Sequence, residues 1–291
     1  MPSCSRYRLG AMPPYHQITG LGRTLHPRHP SNRFAVVGAA AAFACFVVID
    51  ALRGAFTPIA AGAAAIAVFL AWAIGRELDP DTPRVASVAL VLAAVAAVWF
   101  TPSAVASGVA LVALRVVAGT VGAPLSRYDV AALALIGAAC GVDVVTWLAA
   151  LAIGAWLWSA PEVGRLGRVG IVALVVGFVC GIAFTWWRTG AIVPDNAVTG
   201  WAYVLAAAAA AAMILSVRVP AVRTRTDADT GIIDTLRVRL ARITAGSFSM
   251  WAAVMAGVDG FWQIGPVFAA MGAVAVFRVF VHPAFDPSGE G

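Results

Sequence analysis

The sequence predicts an all-α fold, a polytopic integral membrane helix bundle of about ten transmembrane helices. Three observations predict it. The 291-residue chain is 61% hydrophobic and 12% charged, against the ~25% charged residues of ordinary soluble domains. Apolar segments follow one another with almost no polar faces between them, and helices apolar all round belong in lipid or deep in a bundle. The twenty arginines, with no lysine, fall where one face of a membrane would place them.

A net charge of +6 and a pI near 9.8 would suggest nucleic acid in a soluble protein. With a mean hydropathy of +0.88 the charge is better explained by arginines held at an anionic leaflet, so the expected partner is the lipid bilayer and no nucleic acid. Cys45, Cys140 and Cys180 lie inside apolar segments and Cys4 in the tail. They suit small packing residues, with no disulfide framework and no metal-ligand spacing. Residues 1–32 contain no apolar signal-peptide core and read as a disordered cytoplasmic tail, the first span serving as targeting signal. Met12 is a second candidate start.

The apolar segments are 34–50, 56–75, 85–100, 103–120, 128–142, 144–159, 168–186, 198–216, 243–258 and 263–281. They organise the chain as an eight-helix bundle over 33–216, a cytoplasmic linker over 217–242, a final helix pair over 243–282 and a tail over 283–291. Several are shorter than the ~20 residues of a comfortable span and need tilt, thinning or burial by neighbours. Read as one helix, 128–159 would be about 48 Å long, so it is split at Gly141-Val142-Asp143. The split leaves eighteen arginines on the inner side and only Arg53 and Arg188 outside, as the positive-inside tendency asks. Both termini are then cytoplasmic, in a plasma membrane. Trp99, Trp147, Trp186, Trp187, Trp201 and Trp262 fall at outer ends and Trp72, Trp156 and Trp158 near inner ends, as in an aromatic belt.

Within the linker, Ile232, Ile233, Leu236, Leu240 and Ile243 share an arc of about 100° on a helical wheel. That pattern predicts an amphipathic helix lying on anionic lipid, with a partner-binding helix as the alternative. Arg84-Val-Ala-Ser-Val-Ala-Leu-Val and Arg168-Val-Gly-Ile-Val-Ala-Leu-Val open the third and seventh spans, and nine of eighteen positions through Thr101 and Thr185 are identical. Arg33 to Asp50, Arg127 to Asp143 and Arg242 to Asp259 share one inner-to-outer layout. Together they suggest a parallel repeat of four, four and two helices, against the null that Ala/Val-rich helices resemble one another cheaply.

No Asp, Glu, Arg or His lies near the middle of any segment; Arg115 and Arg278 sit about one turn from inner ends, within snorkelling reach of headgroups. The candidate outer polar site is Asp50, Asp143 and Asp259, with Asp195, Asn196 and Gln263 nearby in topology. Three convergent carboxylates would suit a cation or cationic solute; the alternative is that each caps a helix or closes a hairpin. The inner loop Arg76-Glu-Leu-Asp-Pro-Asp-Thr-Pro-Arg84 carries three acids that would suit Mg²⁺ at a phosphate headgroup, or else is a structured connector with ordinary helix-entry prolines. Gly137–Gly141, Gly177–Gly181 and the run Ala206–Ala212 are small-residue faces for close packing, within the chain or between copies or partner helices.

No catalytic, metal, cofactor or nucleotide motif is found, so the leading expectation is a non-catalytic solute permease or facilitator. A membrane scaffold or accessory subunit is the second reading, and a lipid-headgroup enzyme resting on the 76–84 loop is the third.

Overall fold

The computed structural model describes residues 25, 29–54, 58–121, 126, 128, 129, 131, 200–218, 221–227 and 231–281. Among them run α1 (Pro30–Leu52), α2 (Pro58–Leu78), α3 (Pro83–Ala97), α4 (Ala104–Ala118), α5 (Gly200–Ser216), α6 (Thr235–Gln263) and α7 (Gly265–Val276), the last continued by a π-helical turn, Phe277–Val281. The described residues form no strand, only an isolated bridge between Arg225 and Ile232. The all-helical class therefore holds. Segments 144–159 and 168–186, nearly all of 128–142, Asp143, the second copy of the repeat and both GxxxG matches lie outside the described residues.

By length and composition α1 and α2 can each cross a membrane, and the bent pair Ala256–Gln263 and Gly265–Phe280 makes a third if counted as one span. α3, α4 and α5 are shorter apolar helices. Fifteen residues rise about 22 Å, less than a ~30 Å hydrocarbon core, so α3 and α4 depend on their neighbours. Local chemistry sets the ends. Proline opens α1, α3 and α7, where its missing N–H costs nothing. The Ser103 hydroxyl accepts from the Ala106 amide at 3.1 Å to start α4, and Gly119, at φ 63°, ends it in the left-handed conformation.

α2 and α7 form the centre. α2 packs against α1, α3, α4 and α7, and α7 against α2, α3, α5 and α6. Nine of the twelve residues of α7 are buried, a position open only to a helix with no polar face. α1 is peripheral and turns Phe34, Val37, Phe43 and Val48 outward, a surface suited to lipid rather than water. The alanine run does pack closely: Ala206, Ala209 and Ala212 are buried, and α5 lies along α6 within the same chain. Trp72 departs from the expected aromatic belt. It is buried and donates to the Ser31 hydroxyl at 3.2 Å, whereas Trp99 and Trp201 are exposed near helix ends as a belt requires.

The linker also differs from expectation. No separate amphipathic helix precedes the ninth segment; α6 starts at Thr235, capped by the Asp234 carboxylate on the Leu236 amide, and runs without interruption past Arg242. Its inward face is Val238, Ala241, Arg242 and Ala245, while Ile232 and Leu236 of the apolar arc are exposed. Part of the arc does turn inward, Ile233 being buried beside Val238 and Leu240 packing on the core, and Arg242, a charged residue with partners inside the bundle, shares that face.

The α2–α3 crossing is close. A Cβ on Gly75 would lie 2.9 Å from the Ala86 Cα, whereas one on Gly62 would meet nothing within 4 Å. Gly75→Ala is therefore expected to cost about 1–3 kcal/mol through overpacking, and Gly62→Ala to leave stability unchanged or slightly higher. Thermal melts of the two variants in detergent check this, and equal melting temperatures would contradict the packing described.

Candidate functional site

Polar chemistry collects at the two ends of the bundle. One end gathers the C-termini of α2, α4 and α5, the start of α6 and the turn after α7. Glu77, in the last turn of α2, is fully buried. Its Oε1 accepts from Arg115 Nε of α4 at 2.9 Å, and its Oε2 accepts from the Thr120 hydroxyl. Asp79, just past α2, is equally enclosed. Arg278 Nη2 donates to its Oδ2 at 3.0 Å, and Arg242 Nη2 stands 3.4 Å from the same oxygen. Arg115 and Arg278 thus turn to buried carboxylates rather than snorkelling.

Arg242 is fully buried, and its partners explain how that is tolerated. Its Nε donates to the Leu78 carbonyl and its Nη1 to the Ser216 carbonyl, both at 2.7 Å. These carbonyls end α2 and α5, where the intrahelical ladder leaves acceptors unused and the helix dipole is negative. Arg237 serves α4 in the same way, donating to the carbonyls of Val116 at 2.7 Å and Val117 at 3.0 Å. Gly119 leaves the room: a Cβ there would lie 2.5 Å from the Arg237 guanidinium carbon.

The acid-rich loop is a structured connector. Asp81 accepts from the amides of Arg223 and Thr224 and, at 2.6 Å, from the Thr224 hydroxyl. Burial works to raise its pKa, but the Thr224 hydroxyl, these amides and the Arg223 charge outweigh it and hold the carboxyl below its ordinary 3.8. Asp227 N donates to the Thr120 carbonyl, so the segment before α6 is fastened at two places.

The opposite end carries no comparable ion cluster among the described residues. Arg53 donates to the Val98 carbonyl at 3.2 Å, the Ser103 amide donates to the Gln263 carbonyl at 2.9 Å, and Phe100 stacks on Trp262 with centroids 3.9 Å apart. Here α6 breaks. Gly257 has φ 67° and ψ −156°, a second break follows at Ile264, and the flanking pieces meet at 74°. Two buried side-chain oxygens at this end have no hydrogen-bond partner, Ser107 Oγ and Gln263 Oε1. Ser107 is one helical turn beyond Ser103, about 5–6 Å along α4, so both belong to the α4–α6 junction.

Of the expected outer carboxylates, Asp50 is half-buried in the last turn of α1 and Asp259 is exposed two residues past the Gly257 break. α1 packs on α2 and α3, whereas α6 packs chiefly on α5, α4 and α7, so the packing does not bring these two helices together. Asp143 lies outside the described residues. The described residues hold no group of three or more His, Cys, Asp or Glu side chains placed for a metal ion. Sequence reasoning missed Glu77, Arg242 and Ser107; the acid density of 76–84 was the only signal for the first, and for Ser107 there was none. No family model, curated protein or solved structure matches the chain.

Because the folded pKa of Asp81 is depressed, its contribution is complete above about pH 3.8 and is lost as pH falls through the lower folded value. The Arg223 and Thr224 amides are expected to stay protected from hydrogen exchange near ~pH 5, after correction for intrinsic rates, and to lose protection below the folded pKa. Asp81→Asn is expected to remove that protection at neutral pH. Unchanged protection in the variant would contradict the fastening role.

Proposed function

We propose that the chain is a multipass plasma-membrane protein of about ten spans, built as a parallel four-four-two repeat with cytoplasmic termini, and that it works as a non-catalytic solute permease or facilitator. The observation that carries the reading is the doubly broken helix at Gly257 and Ile264 beside buried oxygens without partners. In lipid, irregular backbone at depth is tolerated only where protein covers it or water reaches it. Transporters place discontinuous helices at their substrate sites for that reason, since the break frees backbone groups for a ligand. A hydroxyl and an amide oxygen suit a small uncharged polar solute better than a cation, because Asp50 and Asp259 stand on helices that the packing keeps apart.

The lipid-headgroup enzyme reading loses its motivation. Its loop carboxylates are committed to Arg115, Arg242, Arg278 and the Arg223–Thr224 amides. Each acid of the loop thus already has protein partners, which Mg²⁺ at a headgroup would have to displace.

Solute-driven swelling of proteoliposomes tests the proposal. With a panel of small neutral polar solutes, the wild-type protein is expected to accelerate light-scattering relaxation for at least one of them. Ser107→Val is expected to reduce that rate by about tenfold, the order of one lost hydrogen bond to a solute. Permeability equal to protein-free liposomes across the panel would contradict the proposal and favour a scaffold or accessory role.

A further inference from the structure

The ion cluster is unbalanced. Around Asp79 stand two guanidiniums and one carboxylate, all deeply or largely enclosed: the side chains of Arg242, Asp79 and Arg278 are 1%, 3% and 18% exposed. Both arginines address the same oxygen, Asp79 Oδ2, so they lie side by side with one positive charge in excess. Asp81 also attracts Arg242, but more weakly than Asp79 does, its carboxylate being turned to the Thr224 hydroxyl and the Arg223 and Thr224 amides. Two donors here are buried and make no hydrogen bond, Arg278 Nε and Arg242 Nη2, the latter only ion-paired to Asp79 at 3.4 Å. An uncompensated buried cation with unused N–H groups is costly unless an anion supplies both charge and acceptors.

The surroundings indicate how that anion arrives. Arg278 lies on the π-helical turn between exposed apolar side chains, with Val276 before it and Val279 and Phe280 after it. A guanidinium flanked by outward apolar groups at the arginine-rich end sits where a phosphate and an acyl chain meet. Arginine suits that group because its planar fork offers paired N–H donors to phosphate oxygens.

We propose that Arg242 and Arg278 form a binding site for a phosphate-type anion, either the phosphodiester of an anionic phospholipid or free phosphate. The phosphate oxygens accept from Arg278 Nε and Arg242 Nη2 and neutralise the excess charge that Asp79 leaves. The site is at the end opposite to the α6 break and does not depend on solute transport.

The test uses the full chain, purified in detergent and stripped of lipid, with thermal unfolding followed by its own tryptophans. Phosphatidylglycerol is compared with phosphatidylcholine, and inorganic phosphate with chloride at matched ionic strength. Arg278→Gln removes the charge and the Nε donor; Arg278→Lys keeps the charge and the ion pair to Asp79, so it preserves the fold while still lacking that donor. Arg239→Gln, at an exposed arginine of the same helix end, controls for general attraction to anions. The expected result is an upward shift in melting temperature with phosphatidylglycerol or with phosphate, and an apparent affinity about tenfold weaker in both Arg278 variants but not in Arg239→Gln. A response to phosphatidylglycerol alone assigns the anion to a lipid headgroup, and a response to phosphate assigns it to the free ion. The proposal is overturned if neither ligand shifts the melt beyond its control, or if Arg239→Gln weakens binding as much as Arg278→Gln.

Discussion

A fully buried arginine organises this protein. Arg242 reaches from α6 into the ends of α2 and α5 and shares Asp79 with the turn that follows α7. A guanidinium cannot be withdrawn from water without replacing its hydrogen bonds, and here two helix-terminal carbonyls replace part of them while the Asp79 carboxylate adds an ion pair. The consequences spread from that requirement. The α2–α3 connector must hold Asp79 in place, and Asp81 does so by fastening the connector to the segment before α6. α6 must begin early enough to present Arg242 inward, so it starts at Thr235 instead of at the membrane boundary suggested by hydropathy.

Much of the helical organisation was legible because it rests on local signals. Long apolar stretches, with the helix-entry prolines of the 76–84 loop, placed α1 to α5 and α7 to within a few residues. What escaped was the destination of the arginines. An arginine one turn from a helix end can reach headgroups or turn inward, and nothing local in the sequence around Arg115, Arg242 or Arg278 distinguishes the two. The partners are far apart in sequence: Asp79 meets Arg278 across 199 positions. The Gly257-Val258-Asp259 stretch was half legible. Its glycine does break the helix, but the chain resumes a helix to Gln263 and turns only there. α1 rests on α2 and α3 and α6 chiefly on α5, α4 and α7, so no extensive packing links the helices that carry Asp50 and Asp259.

The two ends are built on opposite principles. At the arginine-rich end, side-chain hydrogen bonds and ion pairs cross-link elements distant in sequence, which makes a rigid end. At the other end the contacts are aromatic stacking, one backbone bond from Ser103 to Gln263, one side-chain bond from Arg53 to the Val98 carbonyl, and two polar oxygens left without partners. A bundle cross-linked at one end has its irregular backbone at the other, where α6 breaks. The proposed passage of a small polar solute would use that break, since unpaired buried oxygens gain the most from a ligand. The fixed end would then serve as the fulcrum, with its excess positive charge held by an anion at the membrane surface.

Asp79 and Arg242 are coupled inside the bundle. A double-mutant cycle with Asp79→Asn, Arg242→Met and the two combined, followed by unfolding in mixed micelles, tests it most directly. The expected result is that the double variant loses less stability than the sum of the single losses, by about 1–3 kcal/mol. Additive losses, agreeing within ~0.5 kcal/mol, would mean that the two side chains do not act as a pair and that Arg242 does not organise the bundle through Asp79.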